Sequence, residues 1–315
     1  MDYLWPVISI AGGVVLLLVG GEYLVRHAVH LAVSYRVPKT IVGAVILGFG
    51  TSSPELLVSL TAAVDGLPGI AIGNVLGSNI ANVGLILGLG ALMVTLHVQR
   101  RVLRTDLPLG VLAALVLLVW AGSQLMVSRS LGIALLAGFA GYMWLSLSHT
   151  RKYRAVTAIA PGDEVEKTLR TDLFFSVLGL VLIVAGALVL VGGAEKLARL
   201  MGVSERIIGI SMVAVSTSLP ELAACYAAAR RGETELIVGN IAGSNIFNLL
   251  FVLGVTATIH PIPVEPIMHT RDFPILVGFA VLAFPLMARR RIRKTQGVLL
   301  LSAYAAYMVW TWRAG

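Results

Sequence analysis

Apolar residues in this chain come in long, nearly unbroken runs rather than in the alternating or one-faced patterns of a soluble fold. Charge-poor stretches fall at about 4–26, 38–65, 69–95, 106–122, 130–149, 171–194, 204–231, 236–260, 272–288 and 295–313, separated by loops rich in Arg, Pro or Gly. Each is close to the roughly 20 apolar residues that cross a hydrocarbon core about 30 Å thick. A bilayer offers backbone groups no water, so each run must close its hydrogen bonds within itself, and the runs are too long and uniformly apolar for barrel strands. The pattern predicts an all-α membrane protein of ten transmembrane helices. The first run lacks a basic leader and a small-residue cleavage site, and reads as a retained span.

The runs repeat. A shift of 166 residues sets GAVILGFGTSSPELLVSLTAA (43–63) on GISMVAVSTSLPELAACYAAA (209–229), and GNVLGSNIANVGLILG (73–88) on GNIAGSNIFNLLFVLG (239–254), with 19 identities between 43–92 and 209–258. The matches fall on Thr, Ser, Pro, Glu and Asn, not only on common apolar residues. The most polar stretch, 150–170, divides the chain into a first five-helix repeat at 1–149 and a second at 171–315, and reads as a cytoplasmic linker. Five is odd, so the second repeat starts on the opposite side of the membrane. This is an inverted repeat, whose binding site is expected near the midplane where the halves meet.

Composition agrees with a lipid environment: 57% of the 315 residues are hydrophobic and 13% charged, against roughly 25% charged in soluble domains. A formal net charge of +8 does not imply a nucleic-acid partner, because the basic residues lie in short patches between apolar runs. Loops between runs 1–2, 3–4, 5–6, 7–8 and 9–10 carry 18 of the 24 Lys and Arg; the other loops and both termini carry 6. This predicts a multi-pass cell-membrane protein, in the inner membrane if bacterial, with both termini outside. A single cysteine, Cys225, excludes an internal disulfide framework and reads as a small core residue.

Candidate chemistry centres on Thr51-Ser52-Ser53-Pro54-Glu55 in the second run and Thr217-Ser218-Leu219-Pro220-Glu221 in the seventh. A carboxylate at the bilayer centre costs at least a few kcal/mol and needs a cation, a proton or a polar partner. No basic residue lies at matching depth, which argues against a structural ion pair. Each proline removes a backbone donor and should free carbonyls just upstream, at about Gly48 and Ala214. Glu55, Glu221, Thr51, Thr217 and these carbonyls form an all-oxygen set suited to a hard cation such as Ca²⁺, which takes six to eight oxygens. No Cys or His cluster favours Zn²⁺ or Cu⁺. In the third and eighth runs, Ser78 and Asn82, and Ser244 and Asn248, are four apart and share a helix face, offering neutral oxygens suited to Na⁺. Gly73, Gly77, Gly239 and Gly243 should let these helices approach their neighbours. An isolated Ser or Thr can instead be back-bonded to its helix, and an isolated Asn can be helix–helix glue. Glu22 and Glu195 lie near span ends and read as interfacial; the six histidines lie near loop edges.

TSSPE and TSLPE, each followed by a GN-x-x-GSN-I-x-N segment, resemble the two alpha-repeats of the cation/calcium exchanger superfamily, specifically its prokaryotic calcium/sodium antiporter branch. The resemblance spans nearly the whole chain, including the Arg271-Asp272 pair before the ninth run. It implies alternating-access exchange of Na⁺ for Ca²⁺ at four clustered sites, with no cofactor. By motif position Glu55 and Glu221 would be ligands shared by both ions, Thr51 and Thr217 would add oxygens, and Ser52, Ser78, Ser218 and Ser244 would line the Na⁺ sites. Some exchangers carry aspartate where this chain has Asn248, opposite Asn82, so this site would hold two carboxylates rather than three. One Ca²⁺ or two Na⁺ balance two carboxylates; three Na⁺ leave one surplus charge.

Two other transport readings and one enzymatic reading stand beside this one. The same carboxylates could carry protons, since burial without a cation favours the neutral acid, making an H⁺/Ca²⁺ antiporter the alternative. A channel could use the same oxygens, but an inverted repeat is the device that interconverts inward- and outward-open states. An intramembrane protease would need a Ser/His pair, an HExxH segment or paired GxGD aspartates, and the chain has none. The protein is therefore expected not to be an enzyme.

Overall fold

The computed structural model describes residues 3–156, 165–202 and 205–314, with side-chain surroundings described for these except 122, 152–156, 165–168, 205–216 and 312–314. Ten helical segments follow the ten apolar runs. They are α1 (Leu4–Ser34), α2 (Lys39–Thr51 and, beyond a bend of 41°, Ser53–Val64), α3 (Pro68–Met93), α4 (Val102–Ala121), α5 (Arg129–Val156), α6 (Val165–Leu200), α7 (Glu205–Arg230), α8 (Thr234–Ile259), α9 (Met268–Met287) and α10 (Lys294–Ala314). Among the described residues seven of these are long and apolar enough to cross a bilayer, and α2 is an eighth when its two arms count as one span. The other two, α7 and α10, run for 26 and 21 residues.

Burial sorts the helices. α3 and α8, which carry the GSN segments, are 78% and 89% buried over their most apolar windows, whereas α1, α4, α5 and α6 are each 28% buried and turn large apolar side chains outward. A surface of Val15, Leu57, Val119, Trp144 and Leu188 suits lipid, not water.

α1 and α6 lie antiparallel along a seam of glycines at seven-residue intervals, Gly13 and Gly20 on one and Gly179, Gly186 and Gly193 on the other. A methyl group at Gly20 would stand 2.7 Å from Gly179 O, and one at Gly13 2.7 Å from Gly186 O, so any larger residue would force the helices apart. The seam ends at Asp172, buried between His27 (Nδ1–Oδ1 2.7 Å) and His30 (Nδ1–Oδ2 2.5 Å). These two histidines have a structural partner that their position near a loop edge did not suggest.

The observed fold departs from the sequence expectation in two respects. Four two-residue strands occur in a chain expected to have none. β1 (Leu96–His97) pairs antiparallel with β4 (Arg291–Ile292), and β2 (Met126–Val127) with β3 (Ile262–Pro263). Each ribbon joins the two halves of the chain outside the helices, where two residues give no periodicity to read. The polar segment 150–170 is also partly helical: α5 continues to Val156 and α6 begins at Val165. Loss of apolar residues marks where a helix leaves lipid, not where it ends, because Arg, Lys and Glu sustain a helix in water. The remainder of that segment, 157–164, lies outside the described residues.

Candidate ion-binding site

Ten of the candidate side chains reach the interior. Thr51, Ser52, Glu55, Ser78, Asn82, Thr217, Ser218, Glu221, Ser244 and Asn248 are all buried, with both glutamates at 0% exposure. They come from α2, α3, α7 and α8, and their contacts cross between the halves of the chain. Ser52 Oγ donates to Glu221 Oε1 at 3.0 Å, Ser78 Oγ and Thr217 Oγ1 are 3.4 Å apart, and Asn82 Nδ2 donates to Asn245 Oδ1 at 3.0 Å. Glu55 and Glu221 lie within electrostatic reach of each other; Ser78 stands beside Glu55, and Thr51 and Ser244 beside Glu221.

Local sequence explains how α2 presents its ligands. Pro54 has no N–H for the turn before it, and the helix bends between Thr51 and Ser53. Two hydroxyls bond back into that turn: Thr51 Oγ1 donates to Leu47 O at 3.0 Å and Ser53 Oγ to Phe49 O at 2.9 Å. The carbonyl expected to be free at Gly48 is not, since it accepts the Ser52 N–H at 3.2 Å. Gly48 instead serves packing: a methyl group there would lie 2.9 Å from Ser244 N, and one at Gly43 2.6 Å from Leu236 O. Gly239 and Gly243 complete that crossing of α2 on α8, as the glycine spacing suggested. The crossing that the repeat would set at Gly73 and Gly77 involves 209–214, whose surroundings are not described. Ala214 lies in the stretch 205–216, whose surroundings are not described.

Four asparagines belong to this polar centre without having been singled out. Asn74 Nδ2 bonds Glu55 O at 3.1 Å and Ser59 Oγ at 2.9 Å, fixing α3 against the arm of α2 that bears Glu55. Asn240 Oδ1 is 3.4 Å from Thr51 Oγ1, Asn79 Nδ2 bonds Val75 O at 2.7 Å, and Asn245 receives Asn82. A signal existed: Asn74 and Asn240 occupy matching places in the two repeats, four residues before Ser78 and Ser244 and hence on the same face.

The donor set fits a cation. Glu55 Oε1 and Oε2, Glu221 Oε2, Ser218 Oγ, Ser244 Oγ, Asn82 Oδ1 and both polar atoms of Asn248 are buried with no hydrogen-bond partner among the described residues. Native interiors rarely leave such atoms unpaired without a ligand to satisfy them. No Lys or Arg forms an ion pair with either glutamate among the described residues. Seven orphaned oxygens, two carboxylates and no basic partner suit a hard cation carried as cargo.

The family model described as sodium/calcium exchanger protein matches residues 5–148 and 171–313, leaving out only the polar centre of the chain and its ends. The chain belongs to the sodium/calcium exchanger family. Inner membrane protein YrbG of Escherichia coli (strain K12) is 35% identical to this exchanger over 95% of the chain and 93% of its own length. Sodium/calcium exchanger MaX1 of Methanosarcina acetivorans is 28% identical over 94% and 95% of the two chains. The solved structure of the sodium-calcium exchanger NCX_Mj soaked with 10 mM Na⁺ and zero Ca²⁺ aligns with a TM-score of 0.86 at 30% identity, covering 98% of this chain and 99% of that one. Family membership makes this exchanger a multi-pass membrane antiporter of the cation/Ca²⁺ class, and its family is one of transporters rather than enzymes.

Proposed function

We propose that this exchanger moves Na⁺ against Ca²⁺ by alternating access at one central site, with Glu55 and Glu221 as ligands shared by the two ions. The observation that carries this reading is the pair of fully buried carboxylates facing each other from different halves, with three of their four oxygens unpartnered among the described residues. Thr51, Thr217, Ser52, Ser218, Ser78, Ser244, Asn82 and Asn248 supply the neutral oxygens. Ca²⁺ and Na⁺ compete because both need the same carboxylate charge: one divalent ion neutralises it, and so do two monovalent ones.

The architecture we infer is ten spans in two inverted five-helix repeats, 1–149 and 171–315, joined by a linker at 150–170. Support comes from partners that exchange under the repeat. β1 pairs with β4 and β2 with β3, and the matching positions of β1 and β2 in the second half are β3 and β4. π-helical turns recur at matching places, Asn82–Ile86 with Phe247–Val252 and Val102–Asp106 with Met268–Asp272. The distribution of Lys and Arg places both termini outside.

The test is Ca²⁺ uptake into proteoliposomes under an imposed Na⁺ gradient and, separately, an imposed proton gradient. Uptake driven by Na⁺ alone is expected. Uptake driven by protons alone would make the protein an H⁺/Ca²⁺ antiporter, and Ca²⁺ flux with neither gradient coupled would make it a channel.

A further inference from the structure

Away from the ion site, the end of α7 and the side of α1 enclose an open pocket of about 620 Å³. Its charged rim is Arg26, Arg230, Arg231 and Glu22, with Tyr23 and Tyr226 between them. All three arginines lie within electrostatic reach of Glu22, but only Arg231 forms an ion pair with it. Arg26 and Arg230 make no ion pair among the described residues, so the rim keeps two uncompensated positive charges.

Depth places this rim at a membrane surface. Arg230 lies nine residues beyond Glu221 on a continuous helix, about 14 Å along the axis, or roughly half of a 30 Å hydrocarbon core. Glu22 lies eighteen residues into α1, about 27 Å from Leu4, at the far end of a span that begins on the opposite side. Beneath the arginines the pocket wall is apolar and outward-facing, with Leu18 46% and Val19 41% exposed. Tyr23 and Tyr226, 36% and 37% exposed, sit at the level where amphipathic rings favour the headgroup region.

The matching corner of the other half lacks this chemistry. The helix ahead of each GN segment ends in the same turn, with Gly66 at φ +74° and Gly232 at φ +70°. The residues before the glycine are Val64-Asp65 in one turn and Arg230-Arg231 in the other. Glu195, on the helix that corresponds to α1, is held within its own helix by Arg199 at 2.7 Å. The turn is shared and the charge is not, so the basic rim is no requirement of the fold. It faces the side that the proposed topology assigns to the cytoplasm.

We propose that this pocket binds the phosphodiester headgroup of an anionic phospholipid of that leaflet, with Arg26 and Arg230 on the phosphate, the tyrosines beside the glycerol and an acyl chain along Leu18 and Val19. The arginine face recognises anionic oxygens, and the outward apolar wall below it selects a lipid over a free phosphate.

The experiment uses the full-length protein in a neutral detergent and reads its apparent Tm by intrinsic fluorescence. Additions are phosphatidylglycerol, phosphatidylcholine of the same acyl chains, and glycerol phosphate. Phosphatidylglycerol is expected to raise Tm by about 5 °C and the other two by little, because a ligand that binds only the folded state stabilises it. Arg26→Gln with Arg230→Gln leaves the Arg231–Glu22 pair in place and should remove that rise without changing Tm in detergent alone. Arg289→Gln with Arg291→Gln, equal in charge lost but outside the residues that line the pocket, should retain the rise. Equal shifts from phosphatidylcholine or glycerol phosphate, a full shift in the Arg26/Arg230 variant, or loss of the shift in the Arg289/Arg291 variant would each overturn the proposal. If the Arg26/Arg230 variant does not fold, the lipid comparison on the parent and the Arg289/Arg291 control still decide it.

Discussion

α2 and α7 carry the same Thr-Ser-x-Pro-Glu segment, and the two helices differ in shape. α2 breaks by 41° between Thr51 and Ser53, whereas α7 runs unbroken from Glu205 to Arg230 with Pro220 inside it. Proline is common to both and so cannot by itself set the bend. The variable position is the one before it: Ser53 bonds back to Phe49 O, and its counterpart Leu219 has no hydroxyl to do so. The glutamates differ in the same sense. Glu221 accepts a hydrogen bond from Ser52, while among the described residues the Ser218 hydroxyl, in the matching position, and the Glu55 carboxylate have no partner. Two halves of like sequence in unlike conformation are what the proposed alternating access asks of the proposed inverted repeat, each half taking the other's shape in the opposite state.

The comparison breaks first at the carboxylates. Glu55→Gln and Glu221→Gln should each reduce Na⁺-driven Ca²⁺ flux by about 100-fold or more, since removing one partner of a buried charged set costs about 3 kcal/mol and every 1.4 kcal/mol is tenfold. The two losses should be alike despite the different hydrogen bonding, because in the proposed mechanism both carboxylates serve the same ion in both states. Normal flux in either variant at equal protein level would remove that glutamate from the site.

Packing around the site offers a sharper contrast. A methyl group at Gly43 meets Leu236 O at 2.6 Å, and at Gly12, on the exposed face of α1, it meets nothing within 4 Å among the described residues. Gly43→Ala should therefore destabilise by about 2 kcal/mol, the range for overpacking, while Gly12→Ala should cost no more than about 0.5 kcal/mol. Thermal unfolding in detergent measures both. Equal effects would mean that α2 does not cross α8 closely at Gly43.

Most of this fold could be read from its apolar runs, because in lipid every run must be a helix and the breaks between runs carry charge, Gly, Pro or other polar residues. The doubled motif led to Glu55, Glu221 and the eight hydroxyl and amide side chains that the structure buries around them. What escaped reading has specific causes. The glycine seam of α1 and α6 has a seven-residue period that is lost among 33 glycines. The His27–Asp172–His30 cluster joins residues 145 and 142 apart, outside the repeat that guided the reading. The Gly48 carbonyl is not the one that proline deprives: Pro54 lacks the N–H that would reach Gly50, four residues before it, and Gly48 O keeps the ordinary helical bond from Ser52 N–H. Asn74 and Asn240 are as legible in the motif as Ser78 and Ser244, but a lone amide in a span reads equally well as a contact between helices.

A smaller effect separates Ser52 from Ser218. A hydrogen bond to a charged group is worth about 1.5–3 kcal/mol, so Ser52→Ala should weaken Ca²⁺ exchange about tenfold when the gradient is applied from one side of the membrane. Ser218→Ala should change it less than about twofold from that side, and the order should reverse when the gradient is applied from the other. Equal effects from both sides would mean that the Ser52–Glu221 bond persists through the cycle and that the asymmetry is built in rather than exchanged.

The least of these effects is the most direct on shape. Ser53→Leu gives α2 the residue that α7 carries, deleting one back-bond of about 1 kcal/mol, enough to change a two-state ratio about fivefold. The bend should relax and the second arm of α2 should swing relative to α5. Spin labels at Leu57 and Trp144, 67% and 69% exposed, would report that swing as a shift between populations in the distance distribution. Cys225→Ser leaves no other thiol to label and copies the residue that the first half carries there, Ser59. The reverse change, Leu219→Ser, should shift the populations oppositely by introducing in α7 the back-bond that α2 has. An unchanged distribution in both variants would place the origin of the bend outside the Ser-Pro pair, in the α2 crossing on α8, and Gly43→Ala in the same labelled background would then be the variant that moves it.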